Sequence, residues 1–141
     1  MKVFFDTNVL IDAITCRDFD YKNQKQLLRY VAGEVIKGYI STKQITDIYY
    51  ILRKYVSSES EKRRIIHVLL EQFETLPCLK SVCEYSLTSD IDDYEDAILE
   101  ETAKIFKVDY LVTNNTVDFQ NSKLAVVSPK ELVLILDACN S

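Results

Sequence analysis

Apolar residues 3–5 stand together behind Lys2 and stop at Asp6, after which Val9, Leu10, Ala13 and Ile14 recur at helical spacing. The period thus changes from buried strand to helix at a single acidic residue. A second helical pattern covers 22–37, with Leu27, Leu28, Val31, Val35 and Ile36 inward and Gly38 as its stop. Tyr39 and Ile40 then read as a short strand. Ser41 with Gln44 resembles a capping box and opens a third helix through about residue 56. Ser58 with Glu61 repeats the signal for a fourth helix to about residue 73, whose apolar stripe is Ile65, Ile66, Leu69 and Leu70. A strand interrupted by Pro77 is expected over 75–79 and a short helix over 82–87. Asp92 as N-cap, with Glu95 at the third helical position, begins a helix over 93–107. Strands follow at 110–113 and 124–127, and Ser128-Pro129-Lys130-Glu131 gives a capped start to a terminal helix with Pro at its first position.

Strands alternating with helices imply an α/β fold, a parallel sheet with helices on both faces. The 141 residues, 48% of them hydrophobic, suit one cored domain spanning 1–141. Two Gly and two Pro argue against a disordered or loop-rich chain, and no GxGxxG or P-loop cradle is present. The apolar stretch at 3–5 is too short for a signal-peptide core or a membrane span, so a soluble, cytoplasmic protein without a membrane partner is expected. Cys16, Cys78, Cys83 and Cys139 form no CxxC pair, and with the solitary His67 they offer too few spaced ligands for structural zinc. They read as reduced, partly buried thiols, and His67 as an ordinary helical residue.

A net charge of -5 gives no global basic field for nucleic acid. Local contacts to phosphate would fall to Lys22, Lys25 and Arg29, or to Arg53, Lys54, Lys62, Arg63 and Arg64, with a metal at an acidic centre supplying the rest. Tyr49, Tyr50, Tyr55 and Tyr94 are placed to flank a substrate groove, although tyrosines more often serve packing.

Ligands in open α/β sheets bind beyond the carboxyl ends of the strands, which is where Asp6 stands. If the strands at 2–5 and 110–113 are neighbours, Asn115 and Asp118 share that crevice; both also fit ordinary turn or cap positions. On the third helix Ile45, Ile48, Tyr49, Leu52 and Val56 form the main apolar stripe, and Asp47 shares another face with Tyr50, Ile51 and Lys54. That face looks into a partly enclosed cleft, or else Asp47 is an exposed acid favoured by the helix dipole. Asp96 lies at the rim of the stripe made by Ile98, Leu99, Thr102, Ile105 and Phe106, whereas Glu95 is assigned to the capping box. Carboxylates gathered near one point repel unless a hard cation neutralises them, and oxygen-only ligands suit Mg²⁺ or Mn²⁺.

These residues carry a resemblance to the PIN-domain ribonucleases, including the toxins of VapBC-type toxin–antitoxin pairs. Phe5-Asp6-Thr7-Asn8-Val9-Leu10-Ile11-Asp12 is similar to that family's first acidic motif, and Ile40-Ser41-Thr42-Lys43-Gln44-Ile45-Thr46-Asp47 to its second. Asp93-Tyr94-Glu95-Asp96-Ala97 resembles the third, and Leu111-Val112-Thr113-Asn114-Asn115-Thr116-Val117-Asp118-Phe119 the fourth. The resemblance implies a three-layer α/β/α fold with a central parallel sheet of four to five strands. It implies a Mg²⁺- or Mn²⁺-dependent endoribonuclease, with RNA as substrate, an antitoxin protein as partner and homodimerisation. Asp6, Asp47, Asp96 and Asp118 would be the catalytic acids, with Asp6, Asp96 and Asp118 on the metal and Thr7, Asn8, Thr113 and Asn115 in support.

Two departures shape that expectation. Asp47 stands where Glu is usual, one methylene shorter, so its helix must approach more closely or act through water. Asn114-Asn115 stands where a basic residue followed by Asp is common, which leaves the negative charge to Asp118. Both departures motivate a second reading, a PIN-like module that binds RNA or protein without cutting. A third, a phosphoacceptor receiver-like domain, wants paired acids at the first strand and a late strand-end Lys, and the chain has no clear set. Asp12, about a turn and a half along the first helix, is a companion of the motif and not a catalytic acid.

Overall fold

The strand that opens the chain lies at the centre of the sheet. In a computed structural model, which describes residues 1–19 and 21–140, β1 (Lys2–Phe5) is followed by α1 (Thr7–Thr15), α2 (Tyr21–Ala32), β2 (Lys37–Ser41), α3 (Thr42–Leu52), α4 (Glu59–Gln72) and β3 (Glu74–Leu76). Then come α5 (Lys80–Tyr85), α6 (Tyr94–Ile105), β4 (Tyr110–Val112), β5 (Val126–Val127) and α7 (Pro129–Cys139), with 3₁₀ turns at Ser86–Thr88 and Thr116–Phe119. The five strands run in the order β3-β2-β1-β4-β5, and every pairing is parallel.

This order explains why β1 has no polar alternation. Parallel sheets are covered on both faces, so successive side chains each meet a core. Val3 and Phe5 join Leu10, Leu27, Ile48 and Leu132 on one side, while Phe4 joins Tyr39, Leu99, Ala103 and Leu111 on the other. The sheet is therefore the middle of three layers, with α1–α4 and α7 on the first face and α6 on the second. Phe4 and Phe5 are both fully buried, and burial of each contributes about 1.5–3 kcal/mol.

The chain lays down β1, β2 and β3 to one side, then crosses back to place β4 on the other flank of β1. A crevice opens at such a reversal beyond the carboxyl ends of the strands. Phe4 is in register with Leu111 and Phe5 with Val112, so the residues following Phe5 and Val112 emerge side by side.

Element boundaries depart from the sequence pattern where tertiary contacts outrank periodicity. The second helix ends at Ala32 and does not run to residue 37. Gly33 N–H closes on Arg29 O at 2.8 Å and Glu34 takes the left-handed conformation at φ 59°, which frees 37–41 to pair with β1. Val35, expected inward, is exposed, as is Leu70 on α4. β3 ends at Leu76 ahead of Pro77, and the helix expected over 82–87 begins earlier, at Lys80, finishing as a 3₁₀ turn. The last strand keeps only two residues, without Leu124. Cys16 and Cys139 are exposed, while Cys78 and Cys83 are half-buried free thiols.

Gly38 is a strand residue and not a helix stop. A Cβ there would lie 2.6 Å from Phe73 Cε1 and 3.0 Å from Val31 Cγ2. The Phe73 ring is itself fixed edge-on against Phe5, with ring centroids 5.1 Å apart, so it has little room to yield. Gly38→Ala is expected to destabilise the protein by about 1–3 kcal/mol, the usual cost of overpacking a core, measured as a lower urea midpoint with unchanged m-value. An unchanged midpoint would show that the Phe73 ring moves aside freely.

Candidate active site

Asp6 follows β1 and caps α1. Its extended backbone lets Oδ1 accept from Thr7 N at 2.8 Å, satisfying one of the orphan donors of the helix start. Oδ2 accepts from Thr113 Oγ1 at 2.8 Å across the β1–β4 boundary, and Thr113 is fully buried. Thr113 Oγ1 accepts in turn from Asn115 N at 3.1 Å, and Asn115 Nδ2 donates to Asp118 Oδ2 at 2.7 Å. A single chain of hydrogen bonds thus links Asp6 to Asp118 through the loop after β4.

The third helix is fastened to the same point by Gln44. The capping box anticipated at Ser41 and Gln44 forms, with Ser41 N donating to Gln44 Oε1 at 2.7 Å. Beyond capping, Gln44 Nε2 donates to Phe5 O at 2.8 Å and to Thr7 Oγ1 at 3.2 Å. Gln44 is fully buried, and periodicity assigned it no role beyond the cap. One turn on, Asp47 faces the crevice together with Tyr50 and Ile51, the face foreseen from the helical wheel.

The helix bearing Asp96 starts one residue later than the sequence suggested. Asp93, not Asp92, is the N-cap, and its Oδ1 accepts from Asp96 N at 3.0 Å. Both choices place an acid three residues after an Asp, so local pattern alone does not separate them; the observed register turns Ala97, Ile98 and Leu99 into the core. Glu95 is consequently not a capping residue. It is exposed, lines the crevice and accepts from Lys43 Nζ at 2.9 Å, while the same ammonium reaches Asp47 Oδ2 at 2.8 Å.

These elements enclose a cavity of about 430 Å³ lined by Asp6, Asp47, Asp93, Glu95, Asp96 and Asp118, with Thr7, Asn8 and Asn115 beside them. Among the described residues, no basic one is in its lining. All four acids singled out from the sequence face this space, as do Thr7, Asn8 and Asn115, whereas Thr113 acts from beneath. Asp93 and Glu95 are additions that sequence reasoning did not place here. Asp12 lies outside it, buried against Arg17 Nε at 2.5 Å and bonded to Asn114 Nδ2. Arg17 Nη2 also donates to Asn8 Oδ1 at 2.8 Å, so Asp12 steadies the rim through its partners.

The electrostatics follow from that crowding. Burial raises Asp6 above the ordinary carboxylate value despite the bonds from Thr113 and Thr7, with Glu95 and Asp118 adding repulsion. Asp96 is pushed up to about 7, first by burial and then by Asp6, Asp93, Asp118 and Glu95. Desolvation pulls Lys43 down, but its bonds to Asp47 and Glu95 outweigh this and hold its ammonium above its usual range.

A cluster of carboxylates of which Asp47 and Glu95 share one ammonium, that of Lys43, calls for a further cation, and an all-oxygen donor set fits hard Mg²⁺ or Mn²⁺ better than zinc. Among the described residues no three Asp, Glu, His or Cys side chains are gathered closely enough to hold an ion unaided. The open arrangement suits an ion that keeps several waters and shares its remaining positions with a phosphate. The basic cluster on α4 is largely spent on neighbours: Lys62 and Arg63 pair with Glu59, and Arg64 with Glu61. His67 pairs with Glu71 on the exposed side of the same helix.

The family model described as PIN domain matches residues 2–117. The chain belongs to the PIN domain family. Its fold is shared by the toxin–antitoxin complex from Klebsiella pneumoniae, at 27% identity and TM-score 0.68, over 90% of this chain and 97% of that one. VapBC2 from Rickettsia felis, bound to a promoter DNA fragment, is similar at 18% identity and TM-score 0.66, over 91% and 98% of the two chains. VapC20 from Mycobacterium tuberculosis, a Sarcin-Ricin loop cleaving toxin, is similar at 12% identity and TM-score 0.61, over 77% and 86%. Comparison with curated proteins finds no match. The acid-lined cavity of this PIN domain lies at the sheet's reversal point, and no helix among the described residues is long and apolar enough to cross a membrane.

Because the fold raises the Asp96 pKa to about 7 from an unfolded value near 3.9, ionising it weakens the metal-free protein. The penalty is absent below about pH 4, grows as pH rises to about 7 and is complete above that. Asp96→Asn should therefore melt at a higher temperature than the parent in chelator at pH 8 and at the same temperature at pH 4. A variant melting below the parent at pH 8 would contradict the crowding.

Proposed function

We propose that this PIN domain is a Mg²⁺- or Mn²⁺-dependent endoribonuclease that hydrolyses RNA phosphodiester bonds, and the toxin of a toxin–antitoxin pair. The observation that carries the reading is the cavity at the ends of β1 and β4, lined by six carboxylates and no base. Such a surface repels RNA by itself and becomes a phosphate site once cations enter it.

Asp6, Asp96 and Asp118 would hold the ion. When bound, it would acidify a water and offset the negative charge that develops on the phosphodiester. Thr113 and Thr7 N–H fix both oxygens of Asp6, leaving the remaining lone pairs directed by a buried scaffold. Asn115 orients Asp118. Asp47, restrained by Lys43, completes the acidic wall opposite α6, and Asn8, held by Arg17, stands at its rim. No nucleophilic side chain is required, since the attacking group is water. The antitoxin partner is supported by the similarity to the Klebsiella toxin–antitoxin complex.

A second reading, a PIN-like module that binds RNA or protein without cutting, is favoured by Lys43. Its ammonium already spans Asp47 and Glu95, supplying part of the positive charge that an ion would otherwise bring.

Purified protein should cleave single-stranded RNA with Mg²⁺ or Mn²⁺ and stop on chelation. Asp6→Asn and Asp96→Asn should each lose about 100-fold or more, the scale expected when charge stabilisation is removed. Undiminished cleavage in both variants would remove these acids from the mechanism, and tight RNA binding without cleavage in any divalent ion would favour the second reading. Thr113→Val should cost about 10–100-fold through misorientation of Asp6, with raised metal requirement; unchanged metal dependence would show that Asp6 needs no such support.

A further inference from the structure

The chemistry of α3 changes along its length. Lys43 and Asp47 are paired at the acid-lined cavity, Tyr50 and Ile51 follow in its wall, and Arg53 and Lys54 stand just past the helix end. At 1.5 Å per residue, Tyr50 lies about 4.5 Å and Arg53 about 9 Å along the axis from Asp47. An aromatic ring thus separates the acids from two further cations.

Those cations are open to a ligand. Arg53 and Lys54 are exposed, and neither pairs with a carboxylate among the described residues. Glu59, which accepts from the Tyr49 hydroxyl near Arg53, is already taken by Lys62 and Arg63. At the cavity rim Asp12 is likewise taken by Arg17. Residues 53–64 hold five basic residues against two acidic ones in a chain of net charge -5. A polyanion leaving the cavity is therefore drawn toward the end of α3, and repelled on the side of α6 by Asp93 and Glu95.

Tyr50 adds what attraction to phosphate alone does not need. Its ring lines the cavity, is 63% exposed and carries the Arg53 guanidinium 5.5 Å from its centroid. A single exposed tyrosine is ordinary on a protein surface, but this one stands on the path from the acids to Arg53. Stacking on an aromatic ring accepts every base, because each has a π face, and a neighbouring guanidinium adds to it.

We infer that Tyr50 and Arg53 form a nucleotide subsite at the cavity mouth, where the base adjoining the scissile phosphate stacks on Tyr50 and the next phosphate pairs with Arg53. The inference rests on the ribonuclease reading for its substrate, but stacking is measurable without turnover. The chain has no tryptophan, so Tyr50→Trp places a single fluorophore at the subsite. Titrating the full-length protein carrying Asp6→Asn and Tyr50→Trp with hexaadenylate in Mg²⁺ should quench its emission. A ribose-phosphate hexamer without bases should bind more weakly and leave the emission unchanged.

In the Asp6→Asn protein, Tyr50→Leu should weaken hexaadenylate binding about 5- to 100-fold, the range for loss of one stack, and Tyr50→Phe should keep it. Arg53→Gln should lower the slope of log affinity against log salt by about 0.7, one phosphate's share on a single strand, whereas Tyr50→Leu should leave that slope alone. No binding of hexaadenylate, equal quenching by the hexamer without bases, an affinity indifferent to Tyr50→Leu, or a salt slope untouched by Arg53→Gln would overturn the assignment. So would hexaglutamate quenching the tryptophan as strongly as hexaadenylate, which would give this face to an acidic segment of a protein partner. Comparing the affinities of the two hexamers for the Asp6→Asn protein needs no substitution at the subsite and decides the matter if those variants do not fold. RNA cleavage by the parent without stacking at Tyr50 sinks the subsite alone; stacking without cleavage in any divalent ion sinks the ribonuclease reading alone.

Discussion

Repulsion between carboxylates is the force this fold is built to withstand. Left to themselves, Asp6, Asp47, Asp96 and Asp118 would move apart; the raised pKa values of Asp6 and Asp96 record burial first and this repulsion second. What prevents it is the apolar packing beneath. Phe4 and Phe5 are buried on opposite faces of β1, so the strand that carries Asp6 cannot rotate or slide without exposing one core or the other. The helices bearing Asp47 and Asp96 lie on opposite faces of the sheet and are each anchored by their own core. The acids are thus held together by three layers of hydrophobic burial, and hydrogen bonds set only their final orientation.

That division of labour explains the roles of the small polar residues. Thr113 and Gln44 are fully buried and neutral, which allows them to donate to the Asp6 carboxylate and to the Phe5 carbonyl without adding charge. Asp12 and Arg17 bring opposite charges to the rim, but they compensate one another. Lys43 places a fixed positive charge between two acids of the cavity wall. The excess negative charge of the cavity wall therefore faces a solvent-accessible volume where a mobile cation can reach it.

Much of this was legible in the chain because burial leaves a strong imprint. The change of period at Asp6, the capping boxes at Ser41 and Ser128, and the alternation of strands with helices all reflect local rules, and the three-layer parallel sheet follows from them. The convergence of Asp6 with the loop after β4 was readable once those two strands were taken as neighbours. What escaped were features decided by distant contacts. Gly38 looks like a helix stop in sequence, yet its smallness answers to Phe73, 35 residues further along the chain. Asp92 and Asp93 are equivalent as caps until the core chooses between them, and with that choice the role of Glu95 changes from helix start to cavity wall. The burial of Glu100 on α6 carries no sequence signature at all, since a glutamate amid helix formers reads as surface.

The two outermost strands are short, three residues in β3 and two in β5. A sheet edge recruits other chains through its free N–H and C=O groups, and the length of that row sets how much an incoming strand can gain. Here the rows are too brief to template β-augmentation, so a fold with a strongly apolar interior carries little amyloid-like liability at its borders. Recognition by other macromolecules is thereby left to helix faces and loops, where side-chain identity rather than generic backbone pairing determines who binds.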